Sequence, residues 1–353
     1  MDVRSFFAQS RVFIVTGKGG VGKTTLSGVM ANLAGGVGLG AVVVQVGAPG
    51  EGRAPETAYL SRLFGSPEVP DYDGIVLRRG PQTNPGLSRD EEGVGPGDVL
   101  ARLLRPDTAL VEYLHLHGMR RLSRKLVSSG ALDIVATAVP GMPDMLVLGK
   151  IKQLERAMAS TQPGAPDVVV LDAPAAGHAV KFLQSPYGLL DAAGGGPVRS
   201  QAREVVEMLS DPSRCQVVLV TTPEETPVSE TVETAQILED KTGAKLCAVV
   251  VNARLPQLRV PAATTATQGL ADLAAAAGAE LPEALAADLA EAAELRSSIQ
   301  AAQAEQVARL ATELPLPQLE LPFCFSDDLG PEHLATLTAA LATAVGNWVP
   351  VRA

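Results

Sequence analysis

The chain has 353 residues, 46% of them hydrophobic, with 34 glycines, 26 prolines and a formal net charge of −10. That is enough apolar material for a substantial core, in one α/β domain with insertions or in two units. The acidic balance argues against a nonspecific nucleic-acid or anionic-membrane binder, because both need clustered Lys and Arg; it leaves open a local basic groove or a protein partner.

The three cysteines, Cys215, Cys247 and Cys324, are far apart and form no C-x-x-C, so reduced buried thiols are expected. The start of the chain lacks an extended apolar run of signal type, and the Ala-rich stretches are broken by Asp and Glu. A cytoplasmic protein is the expectation.

The first informative stretch is Gly17-Lys18-Gly19-Gly20-Val21-Gly22-Lys23-Thr24, with two spaced glycines followed by Lys and Thr. An apolar run, Val12-Phe13-Ile14-Val15, precedes it, and Leu26, Val29, Met30 and Leu33 mark one face of a helix behind it. Strand, glycine-rich loop and helix in that order aim several N–H groups at one anion, and the helix N-terminus adds partial positive charge. In such a loop Lys23 reaches the β- and γ-phosphates of a nucleotide and the Thr24 hydroxyl holds Mg²⁺. Spacing alone leaves Lys18 open between a solvated loop lysine and a functional one.

Further along, 41–46 reads as a second buried strand and 47–52 as a turn. A short helix is expected at 60–63, a strand at 74–77, and a loop or lid at 81–98, where apolar periodicity is absent. Residues 99–127 read as helical, with Leu100, Leu103, Leu104, Val111 and Leu114 supplying apolar faces. His115 and His117 sit two apart, on different sides of a helix, which favours solvated or packing roles over metal ligation. Residues 132–137 could return to the sheet. A helix follows Pro143, with Val147, Ile151, Leu154 and Met158 on one face and Lys150, Lys152, Glu155 and Arg156 over much of the rest. Packing on its own sheet or a neighbouring helix is the preferred reading of that face, and a client groove the other.

The second chemical landmark is Asp167-Val168-Val169-Val170-Leu171-Asp172-Ala173-Pro174, a continuous apolar strand ending in an acid. With a phosphate loop upstream, Asp172 is where an acid would position Mg²⁺ through its water. Gly194 to Pro197 lead into a helix ending near Leu209, and strands are expected at 216–220 and at 246–251, the latter ending at Asn252. Residues 255–313 are Ala-rich and largely helical, with Leu and Ala as inward faces; 318–325 should be the last strand and 331–345 the closing helix. The alternation indicates an α/β fold, a mostly parallel sheet with helices on both faces and a ligand at its C-terminal edge, plus a helical subdomain.

The loop variant G-K-G-G-V-G-K-T resembles the signature-lysine branch of nucleotide-binding ATPases. With Asp172-Ala173-Pro174-Ala175-Ala176-Gly177-His178, Pro223-Glu224, Glu230-Thr231 and Asn252 in order, nearly the whole chain resembles the arsenical-pump and tail-anchored-protein-targeting (ArsA-like) ATPases. It looks most like the paired anion-transporter-like ATPases of actinobacteria. The resemblance implies a single domain over 1–353, with a nucleotide-binding core at about 1–52, 165–178, 214–253 and 315–353 and insertions at about 53–164, 179–213 and 254–314. It implies ATP or ADP with Mg²⁺ as ligands, held by Gly17, Lys18, Gly19, Gly20, Val21, Gly22, Lys23, Thr24 and Thr25, with Thr24 and Asp172 serving the metal. Lys18 and Lys23 would carry catalysis, Lys18 by reaching across a dimer interface. Glu224 would contact nucleotide, Asn252 would read adenine, Pro322 and Phe323 would line the base, and the segment through His178 would move as a switch. Each has a plainer role open to it: Glu224 at a solvated helix start, Asn252 ending a strand, His178 capping a turn.

Two departures stand out. The family's D-P-A-H-S, whose Asp orients the attacking water, is matched here by Gly47-Ala48-Pro49-Gly50-Glu51, and residues 255–313 hold no cysteine for a zinc clamp. The expectation is therefore a homodimeric or heterodimeric ATPase subunit with a protein client or membrane partner, without zinc or nucleic acid. Its rival is a nucleotide-binding pseudo-ATPase that regulates an active relative.

Overall fold

The computed structural model describes residues 1–47, 57–81, 93–116, 118–129, 140–160, 162–257 and 267–348. Glu51, His117, most of the 81–98 loop and the expected strand at 132–137 lie outside these residues.

In chain order the elements are α1 (Val3–Phe7), β1 (Val12–Gly17), α2 (Lys23–Gly36), β2 (Ala41–Val46), α3 (Thr57–Leu63), β3 (Ile75–Arg78), β4 (Val99–Leu104), α4 (Pro106–Leu116) and α5 (Arg120–Ser129). There follow α6 (Met142–Ala159), β5 (Val168–Asp172), α7 (Ala176–Ala192), α8 (Gly196–Ser210), β6 (Cys215–Thr221) and α9 (Glu225–Thr242). The last are β7 (Leu246–Arg254), α10 (Thr267–Ala276), α11 (Glu283–Glu313), β8 (Gln318–Pro322) and α12 (Pro331–Asn347). The described strands form one sheet in the order β3-β4-β2-β5-β1-β6-β7-β8, parallel except for β3 against β4.

The central strands are mostly apolar and buried because both faces of the sheet are covered there. Alternate residues feed two separate cores. Phe13, Val15, Val43, Val170 and Val220 pack beneath α2 and α12 with Leu26, Met30, Leu337 and Leu341. Ile14, Val44, Leu171, Val217 and Val249 pack beneath the other helices with Leu148, Ile151, Phe182, Val205 and Leu238. Cys215 and Cys247 are buried free thiols, and burial pushes both up to about 12. Among the described residues, no helix is long and apolar enough to cross a membrane.

Four expectations need correction. Val99–Leu104 is a strand, paired with β2 from Ala41↔Val99 to Val46↔Leu104, and helix begins only at Pro106. A six-residue run, apolar except for Arg102, is too short for its periodicity to separate strand from helix, and here lateral pairing decides. The 53–164 segment therefore contributes two strands to the sheet. Lys152 and Glu155 are not surface residues: they are 2% and 1% exposed. Glu155 accepts hydrogen bonds from Arg11 Nε at 2.7 Å and Arg214 Nη2 at 2.7 Å, and Lys152 pairs with Glu204 at 2.5 Å, so partners distant in sequence permit the burial. The preferred packing of α6 on its own sheet holds, with Val147 and Ile151 fully buried. The long Ala-rich helix has little inward face. Of α11, Ala286, Gln303 and Leu310 are buried, whereas Leu285, Leu289, Leu295 and Ile299 are exposed. Finally, β7 runs past Asn252 to Arg254 and β8 stops at Pro322.

These environments set opposite mutational costs. Leu171→Ala in β5 should lose about 2–5 kcal/mol of stability through a buried cavity, and Leu289→Ala on α11 should stay within about 0.5 kcal/mol. Urea unfolding monitored by circular dichroism measures both.

Candidate functional site

The C-terminal ends of β1 and β5 meet the start of α2, and the residues marked by the sequence converge there. Gly17 ends β1 with no room for a side chain, because a Cβ would lie 2.1 Å from the Val220 carbonyl oxygen. Gly20 and Gly22 have φ of 85° and 95°, a left-handed backbone that favours glycine. These turns reverse the chain so that α2 starts at Lys23 with its first amide groups free of helical partners. Val21 is buried in the core beneath, and Thr25 is tied through its hydroxyl to Tyr59 Oη at 2.9 Å.

The Thr24 hydroxyl donates to Asp172 Oδ2 at 2.7 Å, joining the start of α2 to the end of β5. Burial pushes the Asp172 carboxyl up to about 6, against the opposing effects of Thr24, Lys23 and a hydrogen bond from Gln45. Lys23 is shifted down by burial, partly offset by Asp172, and its Nζ donates to the Lys18 carbonyl at 3.0 Å. Gln45 is the cross-strand neighbour of Asp172 on β2. Among the described residues, Gln45 Oε1 is buried without a hydrogen-bond partner. A hydroxyl, a desolvated carboxylate and an unsatisfied amide oxygen on neighbouring elements form an oxygen set of the kind that suits Mg²⁺.

Lys18 Nζ lies 2.7 Å from Glu230 Oε1 on α9, and both side chains are about a third or more exposed. Such pairs contribute roughly 0–1 kcal/mol, so Lys18 is released at little cost. Asn252 donates from Nδ2 to the Val21 carbonyl at 2.9 Å, against the outside of the loop. The pairing of β7 with β8 shifts register between Val251 and Arg254, and Ala253 has φ of 57°; this irregularity accompanies the turn of Asn252 toward the loop. Glu224 is exposed at the N-cap of α9 without a side-chain cap bond. Pro322 lines a groove along β8, and Phe323 is exposed, stacked edge-on with Phe325. The structure thus brings Lys18, Lys23, Thr24, Asp172 and Asn252 together around the loop.

The switch-like segment after Asp172 is anchored to β1: Ala173 N donates to Val15 O at 3.0 Å and Thr16 Oγ1 to Pro174 O at 3.3 Å. His178 is exposed in the first turn of α7, near Asp144, whose carboxyl is raised mainly by burial. Sequence reading missed Gln45, whose one signal was a polar residue inside the run Ala41-Val42-Val43-Val44-Gln45-Val46. It also did not pair Glu230 with Lys18.

A mostly parallel sheet flanked by helices, with a glycine loop between β1 and α2, defines an α/β protein of P-loop NTPase-like architecture. The chain is 30% identical over 345 residues to ATPase BagA of Mycobacterium tuberculosis (strain ATCC 25618 / H37Rv), covering 94% of this chain and 92% of that protein. It is also 26% identical over 262 residues to the "Putative arsenical pump-driving ATPase" of Halobacterium salinarum (strain ATCC 700922 / JCM 11081 / NRC-1), covering 70% of this chain and 36% of that protein. No protein-family profile matches. The chain belongs to the ArsA-like ATPase family.

The Asp172 shift makes a signed prediction. Its pKa in the folded protein is raised above the ordinary 3.8 to about 6, so its contribution to stability is greatest below pH 4, falls as pH rises through 6, and is flat above. Without nucleotide, the stability of the native chain relative to Asp172→Asn should drop by up to about 3 kcal/mol between acid and neutral pH. Urea titrations across that range measure the difference, and parallel curves would refute the shift.

Proposed function

We propose that this chain is a cytoplasmic ATP-binding subunit that dimerises and couples its nucleotide state to a protein client or membrane partner. The single observation that carries this reading is the Thr24–Asp172 hydrogen bond at 2.7 Å, which joins the glycine loop to the acid-ended strand. Amides from Gly17 to Thr25 and the Lys23 ammonium would hold the phosphates, and Thr24 and Asp172, with Gln45 beside them, would hold Mg²⁺. The metal would supply charge neutralisation at the phosphates. Asn252 already touches the loop and would read adenine after exchanging its bond to Val21 for the base; Glu224, Pro322 and Phe323 would border the rest of the nucleotide. Lys18, paired among the described residues with half-exposed Glu230, would give up that pair at little cost to turn toward a second subunit. In this reading the nucleotide-binding core and insertions keep the boundaries expected from sequence, except that β3 and β4 join the sheet, and the dimer is of the paired actinobacterial type.

A second reading has its own support. By the family resemblance Gly47 takes the place of the water-orienting aspartate, and a Cβ there would lie 2.9 Å from Arg105 Cγ. The position is filled from outside by an arginine stem. A chain so built binds ATP and turns it over slowly, and a related subunit that retains the aspartate would supply hydrolysis.

Steady-state phosphate release from the isolated chain, with and without such a subunit, separates the two. Lys23→Ala should weaken nucleotide binding at least about tenfold, by removal of a charge-assisted contact. Slow turnover alone, with acceleration on mixing, supports the regulated pair. Rapid turnover alone would exclude the second reading, and unchanged nucleotide affinity in Lys23→Ala would exclude both.

A further inference from the structure

The helix α5 stands apart from the acidic character of the chain. Arg120, Arg121, Arg124 and Lys125 are all exposed, and none of them makes an ion pair with a described residue. At 100° per residue the four cations occupy an arc of about 140°. The opposite side faces inward: Ser123 is buried and Leu126 packs against Leu110, Leu114 and Leu146. The helix is therefore anchored by one side and offers a dense positive side to its surroundings.

Two exposed apolar residues accompany the cations. Val127, 55% exposed, lies about 20° beyond Arg120 on the helical wheel, and Met119, 38% exposed, immediately precedes the helix. Cations alone would suit any polyanion. Cations beside apolar side chains match the two layers of a bilayer interface, phosphate headgroups above and acyl chains beneath. The chain's net charge of −10 disfavours nonspecific attraction to an anionic surface, which sets this cationic face apart. We propose that α5 is a docking element for an anionic lipid surface, seating the protein on a membrane through headgroup phosphates at the four cations and through Met119 and Val127 in the acyl boundary. This site is separate from the loop at β1 and does not depend on nucleotide.

The test is flotation of the full chain with vesicles of mixed phosphatidylglycerol and phosphatidylcholine, against vesicles of phosphatidylcholine alone, at low and high salt. Binding is expected to the anionic vesicles only and to fade with salt. Reversing two charges with Arg121→Glu and Lys125→Glu should lower the vesicle partition coefficient at least about tenfold. The same charge change at exposed Lys241 and Lys245, outside α5, should leave it within a factor of two or so, the weak residue of long-range charge. Met119→Ser with Val127→Ser should weaken flotation but not retention on a heparin column. Thermal melts check that each variant is folded, and Arg121→Gln with Lys125→Gln replaces any that is not. Equal binding to both vesicle types, equal loss in the two reversal pairs, or heparin retention without flotation would overturn the proposal, the last in favour of a nucleic-acid or other polyanionic partner.

Discussion

The hydrogen bond from Thr24 to Asp172 is the constraint on which the rest of the site depends. It spans 148 positions of sequence and closes the gap between the first turn of α2 and the end of β5. Asp172 is 9% exposed, and a carboxylate so far from water requires compensation by donors and positive charge. Thr24, Lys23 and Gln45 supply part of that compensation, and the raised carboxyl reports that it is incomplete. A divalent cation would complete it. The same burial that disfavours the charge without a ligand thus prepares the site to favour a cation when one arrives.

The sheet makes that arrangement reproducible. β1 lies between β5 and β6, with paired registers on both sides, so Gly17 and Asp172 are carried to the same edge by strands that cannot slip without exposing a core face. On one side α2 and α12 close the core; on the other the buried pairs of Glu155 with Arg11 and Arg214 tie α6 to the starts of β1 and β6. Helices farther from the sheet are held less tightly, as the exposed leucines of α11 indicate. Burial is concentrated beneath the loop, and apolar side chains are left exposed along α11.

Much of this was legible in the sequence. The runs at Val12–Gly17, Val168–Asp172 and Cys215–Thr221 are apolar, short and bounded by turn residues, and each is a strand. The glycine loop, Thr24 and Asp172 lie together at one edge of the sheet. Val99–Leu104 was not legible, because Val99-Leu100-Ala101-Arg102-Leu103-Leu104 satisfies a helix as readily as a strand until β2 is placed beside it. Lys152 and Glu155 were misread for the related reason that burial of a charge is decided by its partner, and Glu204, Arg11 and Arg214 come from other elements. Gln45 lost its meaning inside a hydrophobic run until its cross-strand neighbour was known. Local composition carries propensity; pairing and ion partners are set by topology.

The central claim is that this loop seats a nucleotide polyphosphate together with a divalent cation. Isothermal titration of the full chain with ATP, in magnesium and again in excess chelator, tests it most directly. The account requires saturable binding that tightens in magnesium, and tightens less in Asp172→Asn. No saturable heat in either buffer, or affinity indifferent to magnesium, would contradict it.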